Sequence, residues 1–173
     1  MASGALQQLL KQTQWKDLDY LIVDMPPGTG DIQLTLSQSV PVSGSVIVTT
    51  PQDIALLDAK KGIKMFRMVS IPVYGVVENM STHVCSSCGY EEAIFGADGG
   101  ERLARDYQTS LLGQLPLALS IREMADSGEP SVAQDSASEI AGAYFNVANR
   151  LALALWEQSL AEQTVPIFSV EDD

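Results

Sequence analysis

Ser45-Val46-Ile47-Val48-Thr49 and, after an intervening helical stretch, Val73-Tyr74-Gly75-Val76-Val77 decide the fold of this chain. The first run is almost continuously β-branched and aliphatic, which is the pattern of a strand covered on both faces. Residues 53–69, between the two runs, carry helical periodicity. Strand, helix, strand defines a βαβ unit and therefore a parallel sheet. Upstream, Tyr20-Leu21-Ile22-Val23 reads as another doubly covered strand, and downstream Leu111-Leu112-Gly113-Gln114-Leu115 reads as a weaker one. Further helices are expected at residues 32–39 and 99–107. A leading amphipathic helix is expected at 4–14. Ile140, Tyr144, Val147, Leu151 and Leu155, at steps of three and four, predict a long helix over 136–162. Val165-Pro166-Ile167-Phe168 reads as a short apolar dock before a frayed acidic end.

Composition narrows the class. The 173 residues include 22 Asp and Glu against 10 Lys and Arg, a formal net charge of -12. Nucleic-acid affinity comes largely from cations neutralising phosphates, so neither a nucleic acid nor an anionic membrane surface is an expected partner. Two cysteines are too few for a disulfide scaffold. The opening MASGALQQLLKQ lacks the pattern of a secretory signal, and no apolar run approaches the ~18 residues of a spanning helix. A cytoplasmic protein of one α/β domain, residues 1–173, is the expectation.

The loop Asp24-Met25-Pro26-Pro27-Gly28-Thr29-Gly30-Asp31 looks at first like a phosphate-binding loop. That loop ends in Gly-Lys-Ser/Thr, whereas Gly30 here is followed by Asp31 and Ile32. A carboxylate in the lysine's place repels a triphosphate. The chemistry rests better on Asp24. Four apolar residues ending in Asp describe a Walker B strand, whose carboxylate holds Mg²⁺, usually through water. Gly28 could then bring its backbone N–H to a γ-phosphate. A plain helix-capping Asp in a Pro/Gly turn fits the same spacing, and both readings stand.

Cys85-Ser86-Ser87-Cys88 holds every cysteine of the chain. A thioredoxin-like pair needs a helix N-terminus to lower the first thiol's pKa, and the surroundings do not suggest one. A closed zinc site needs four ligands, and Cys85, Cys88 and His83 supply at most three. Two copies of the motif across a two-fold axis give four thiolates, which suits zinc or an iron–sulfur cluster. Asn79 closes the 73–77 strand at the edge where ligands collect in α/β folds, although a turn Asn is equally compatible. Lys60, Lys64 and Arg67 read as one solvated helix face.

Taken in order, DYLIVDMPPGTGDIQLTLSQ (19–38), VTTPQDIALLDAKKGI (48–63), VYGVVENMS (73–81), CSSCG (85–89), IFGADGGERLA (94–104) and LLGQLPL (111–117) strongly resemble the Mrp/ApbC family of iron–sulfur cluster carriers. These are deviant-Walker P-loop NTPases, related to the MinD and ParA partitioning ATPases. The resemblance implies that Asp24 is the Mg²⁺-associated acid and Gly28 the switch glycine. It implies that Asn79 bonds the adenine base. It also implies that Cys85 and Cys88, with a dimer mate, hold a bridging [4Fe–4S] cluster for delivery to apo iron–sulfur proteins, coupled to ATP hydrolysis. The family's Walker A loop and its switch I segment have no counterpart here. The chain therefore reads as the C-terminal part of a longer nucleotide-binding domain, an incomplete P-loop NTPase fold, inactive alone as an ATPase. A partitioning-type ATPase and a zinc-stapled, non-enzymatic dimer are the competing expectations.

Overall fold

The structure, a computed structural model, describes residues 4, 8–10, 12–25, 40, 42–85 and 87–162. Its centre is a parallel sheet of three strands in the order β1-β2-β5: β1 Ser45–Thr49, β2 Val73–Glu78 and β5 Ser110–Gln114. A crossover helix, α1 Asp53–Met68, links β1 to β2. Between β2 and β5 come a small antiparallel hairpin, β3 His83–Val84 with β4 Glu91–Glu92, and the helix α2 Gly99–Asp106. After β5 follow α3 Leu119–Asp126, α4 Ser131–Gln134 and the long α5 Glu139–Glu162.

The expected α/β alternation holds because both sheet faces find cover. On one face Ile47 and Val76 pack against Leu56, Ala59 and Ile63 of α1 and Leu103 and Ala104 of α2. The buried α1 residues fall at helical spacing, so one stripe meets the sheet. On the other face Val77, Leu112 and Leu115 are covered by Tyr144, Val147 and Leu151 of α5, three of the five residues whose spacing predicted that helix. Gly113 makes this close approach possible, since a Cβ there would lie 2.6 Å from Val147 Cγ2.

One expected strand is corrected. Residues 20–25 are irregular, and Tyr20, Leu21 and Ile22 are exposed, Ile22 by 75%. A strand needs a neighbour to take its backbone bonds. Among the described residues β1 pairs only with β2, and nothing joins residues 20–23 to the sheet. The described residues 4, 8–10 and 12 are helical, in line with the leading helix. The helix expected at 32–39 and the apolar stretch 165–168 lie outside the described residues. The sequence did not announce α3, α4 or the β3–β4 hairpin.

Candidate functional site

Asn79 and the cysteine pair, three of the candidate site residues, follow the C-terminal end of the central strand. β2 ends at Glu78, and Asn79 follows, its backbone N–H donating to Thr49 O at 2.7 Å. Asn79 Oδ1 accepts from the Met80 N–H at 3.0 Å, closing a turn in which Met80 takes a positive φ of 56°. Asn79 is thus half-buried at the end of the central strand, where the strand pattern put it.

From there the chain runs alongside the exit of β5. The Ser81 N–H and Oγ both donate to Leu115 O, and the Leu117 N–H donates to Thr82 O at 2.7 Å. His83 bridges to Leu117, with its Nδ1 3.2 Å from the Leu117 carbonyl. The hairpin then projects from this root. His83 pairs with Glu92 and Val84 with Glu91, and the tip is the cysteine turn. Cys85 N–H donates to Tyr90 O, and Gly89 N–H returns to Cys85 O, each at 2.9 Å. Gly89 sits at a φ of 70°, which suits glycine at such a reversal.

Cys85 is half-buried and Cys88 exposed, and both are free thiols. The Ser87 N–H beside the Cys85 sulfur holds its thiol below the usual 9.0, and the Cys88 N–H and thiol add to this. Desolvation works weakly the other way. Hydrogen bonds to the charged sulfur favour the thiolate, the form that binds metal. A turn here supplies the donors that sequence reasoning sought in a helix N-terminus. Among the described residues no group of three or more His, Cys, Asp or Glu could hold a metal ion, and His83 is engaged at the hairpin root. One copy of this hairpin offers two sulfur ligands.

The structure joins Asn79, Cys85 and Cys88 on one continuous stretch. Asp24 lies exposed on the irregular segment before β1, and Gly28 lies outside the described residues. Sequence reasoning missed Glu78, which is only 1% exposed. Its Oε2 accepts the Gly100 N–H at 2.5 Å and its Oε1 accepts Gln114 Nε2 at 2.8 Å. The available signal was a Glu closing a buried strand upstream of a Gly-Gly pair.

A parallel sheet covered by helices on both faces is the architecture of α/β proteins that take ligands at the carboxyl ends of their strands. The fold is shared with the cell-division ATPase MinD of Pyrococcus furiosus, at a TM-score of 0.65 and 21% identity over 87% of this chain and 58% of that one. A nucleotide-binding protein of Archaeoglobus fulgidus in complex with ADP superimposes at 0.68, with 33% identity over 79% of this chain and 55% of that one. The chain belongs to the P-loop NTPase family described as ParA: NUBPL iron-transfer P-loop NTPase, which its residues 1–152 match. The iron-sulfur cluster carrier protein of Escherichia coli strain K12 is 60% identical over 158 residues, 91% of this chain and 43% of that protein. The chain spans about half the length of the curated relatives it matches.

Proposed function

We propose that this chain is the cluster-binding portion of an iron–sulfur carrier, holding a [4Fe–4S] cluster between two copies and passing it to apo iron–sulfur proteins. One observation carries the reading: a hairpin tip presents two thiols, one of them favoured as thiolate by backbone N–H groups, with no third ligand within reach among the described residues. A cubane takes four cysteine ligands, so Cys85 and Cys88 from each of two copies complete the set. Zinc would take the same four sulfurs. The family and the names of its relatives support iron over zinc. Thiolates stay available in a reducing compartment, which favours the cytoplasm. No helix among the described residues is long and apolar enough to cross a membrane.

The nucleotide half of the activity is assigned to a longer protein. There Asp24 would hold Mg²⁺, Gly28 would face the γ-phosphate and Asn79 would bond adenine. Residues 1–173 contain no Gly-Lys-Ser/Thr sequence, so the donor set for a triphosphate does not fit and no hydrolytic step is derived for this chain. On its own it should show no ATPase activity, and calorimetric titration with Mg-ATP should find no micromolar affinity.

The test is anaerobic reconstitution followed by measurement of iron, sulfide, zinc and solution mass. One four-iron cluster per dimer supports the reading. A cluster on monomers, or zinc in place of iron under iron-replete conditions, overturns it.

A further inference from the structure

Glu78 is the one charged side chain buried in the described core, and nothing in the proposed function uses it. A carboxylate offers only acceptors, and burying one is costly unless its oxygens are met by donors. Here each oxygen meets one, and the two donors come from different elements. Gly100 N–H stands in the first turn of α2, where helical amides lack partners of their own. Gln114 is the last residue of β5. Glu78 O in turn accepts the Leu115 N–H at 2.8 Å. A Cβ on Gly100 would lie 2.9 Å from Glu78 Cβ, so glycine lets helix and strand meet closely enough for the bond.

This junction lies at the foot of the cysteine hairpin. Beyond Glu78 the chain is tied to β5's exit at Ser81, Thr82 and His83. Beside those ties lies an open hollow of about 340 Å³, lined by Glu78, Ser81, Thr82, Asp98 and Gln114 among others. In the hairpin itself Val84, Glu91 and Glu92 are exposed. The hydrogen bonds that join the hairpin root to the sheet run between residues 81–83 and 115–117.

We propose that Glu78 is a positioning residue for the cysteine hairpin: by joining the Gly100 N–H to the Gln114 amide it fixes the hairpin root, and through it the two thiols, against the sheet. The positioning claim stands on the geometry above, and its consequence for metal rests on the cluster-binding reading. Gln114→Ala removes the tie to β5 at an exposed position, and Glu78→Ala removes both ties. Glu78→Gln keeps both, since its Oε1 can accept from Gly100 and its Nε2 can donate to Gln114 once that amide turns over.

Two measurements decide it. The first is amide hydrogen exchange on the metal-free chain. Ser81 and Leu117 should exchange about fivefold faster in Gln114→Ala and Glu78→Ala, the scale of one lost hydrogen bond. Amides of α1 and α5 should not change, and Glu78→Gln should restore slow exchange. If Glu78→Ala fails to fold, Gln114→Ala alone answers the question. Unchanged root amides overturn the positioning role, as does loosening that spreads evenly over α1 and α5. The second is the rate at which a reconstituted cluster loses iron to a chelator, which should rise in Gln114→Ala and return in Glu78→Gln. Loosened amides with an unchanged release rate overturn the link to metal. A wild-type chain that takes up no cluster overturns the functional reading instead, while the exchange data still decide the role of Glu78.

Discussion

Two apolar runs of similar composition meet different fates in this molecule. Ser45–Thr49 becomes a strand with Ile47 buried, while Tyr20-Leu21-Ile22-Val23 stays irregular and exposed. Their β-propensities are alike. The difference lies in neighbours: β1 has β2 alongside and α1 over one face, whereas nothing in the described fold receives residues 20–23. A strand is thus a property of the sheet that takes it in. The same contrast separates the two halves of the candidate site, since the cysteine hairpin is rooted on the sheet and Asp24 hangs on the unpaired segment.

The largest expected effects test the rooted half. Cys85→Ala or Cys88→Ala should each abolish stable cluster binding, because either leaves two thiolates per dimer where four are needed. Iron retained in either single variant after desalting would break the four-thiolate model. The unpaired half is tested in a longer protein that carries the phosphate loop. There Asp24→Asn should slow ATP hydrolysis by a large part of the roughly thousandfold typical of phosphoryl-transfer groups. Turnover within about threefold of wild type would remove Asp24 from the chemistry.

Stability sharpens the contrast at smaller scale. Ile63→Ala empties a fully buried position between α1 and the sheet and should cost about 2–5 kcal/mol in denaturant unfolding. Ile22→Ala, at a site 75% exposed, should stay within about 0.5 kcal/mol. Equal losses would mean that residues 20–23 are packed in solution.

The smallest effect concerns protons. Because donors from Ser87 and Cys88 favour the Cys85 thiolate, its alkylation midpoint should fall below 9.0. The reactive form then persists to lower pH than in a free thiol. Site-resolved mass spectrometry after iodoacetamide treatment across pH measures this. Cys88→Ala should move the midpoint part of the way back up, since the Ser87 N–H, the larger contributor, remains.

What was legible in the sequence follows the same logic. The 45–49 and 73–77 runs gave away the parallel sheet because doubly covered strands cannot hide their apolarity. The α5 stripe and the cysteine pair were equally plain. The β3–β4 hairpin was not, because His83-Val84 and Glu91-Glu92 are too short and polar to show a period of two. α3 buries no residue, so no stripe marked it. Glu78 escaped notice because its partners, Gly100 and Gln114, lie 22 and 36 positions away. The 20–23 run misled because local propensity carries no record of which strand takes a segment in, and among the described residues none pairs with it.

The hairpin also has a place in the order of folding. His83 and Glu92 are close along the chain, and hairpins close in roughly 1–10 μs. Two-residue strands are too short to persist alone. Their anchorage comes from Thr82 and His83 meeting Leu117, contacts spanning 35 and 34 positions that must wait for β5. Loop-closure entropy makes such long-range pairing slow. The cysteine turn therefore flickers early and sets late. Until β5 is in place, the turn that carries Cys85 and Cys88 has none of these bonds to hold it to the sheet.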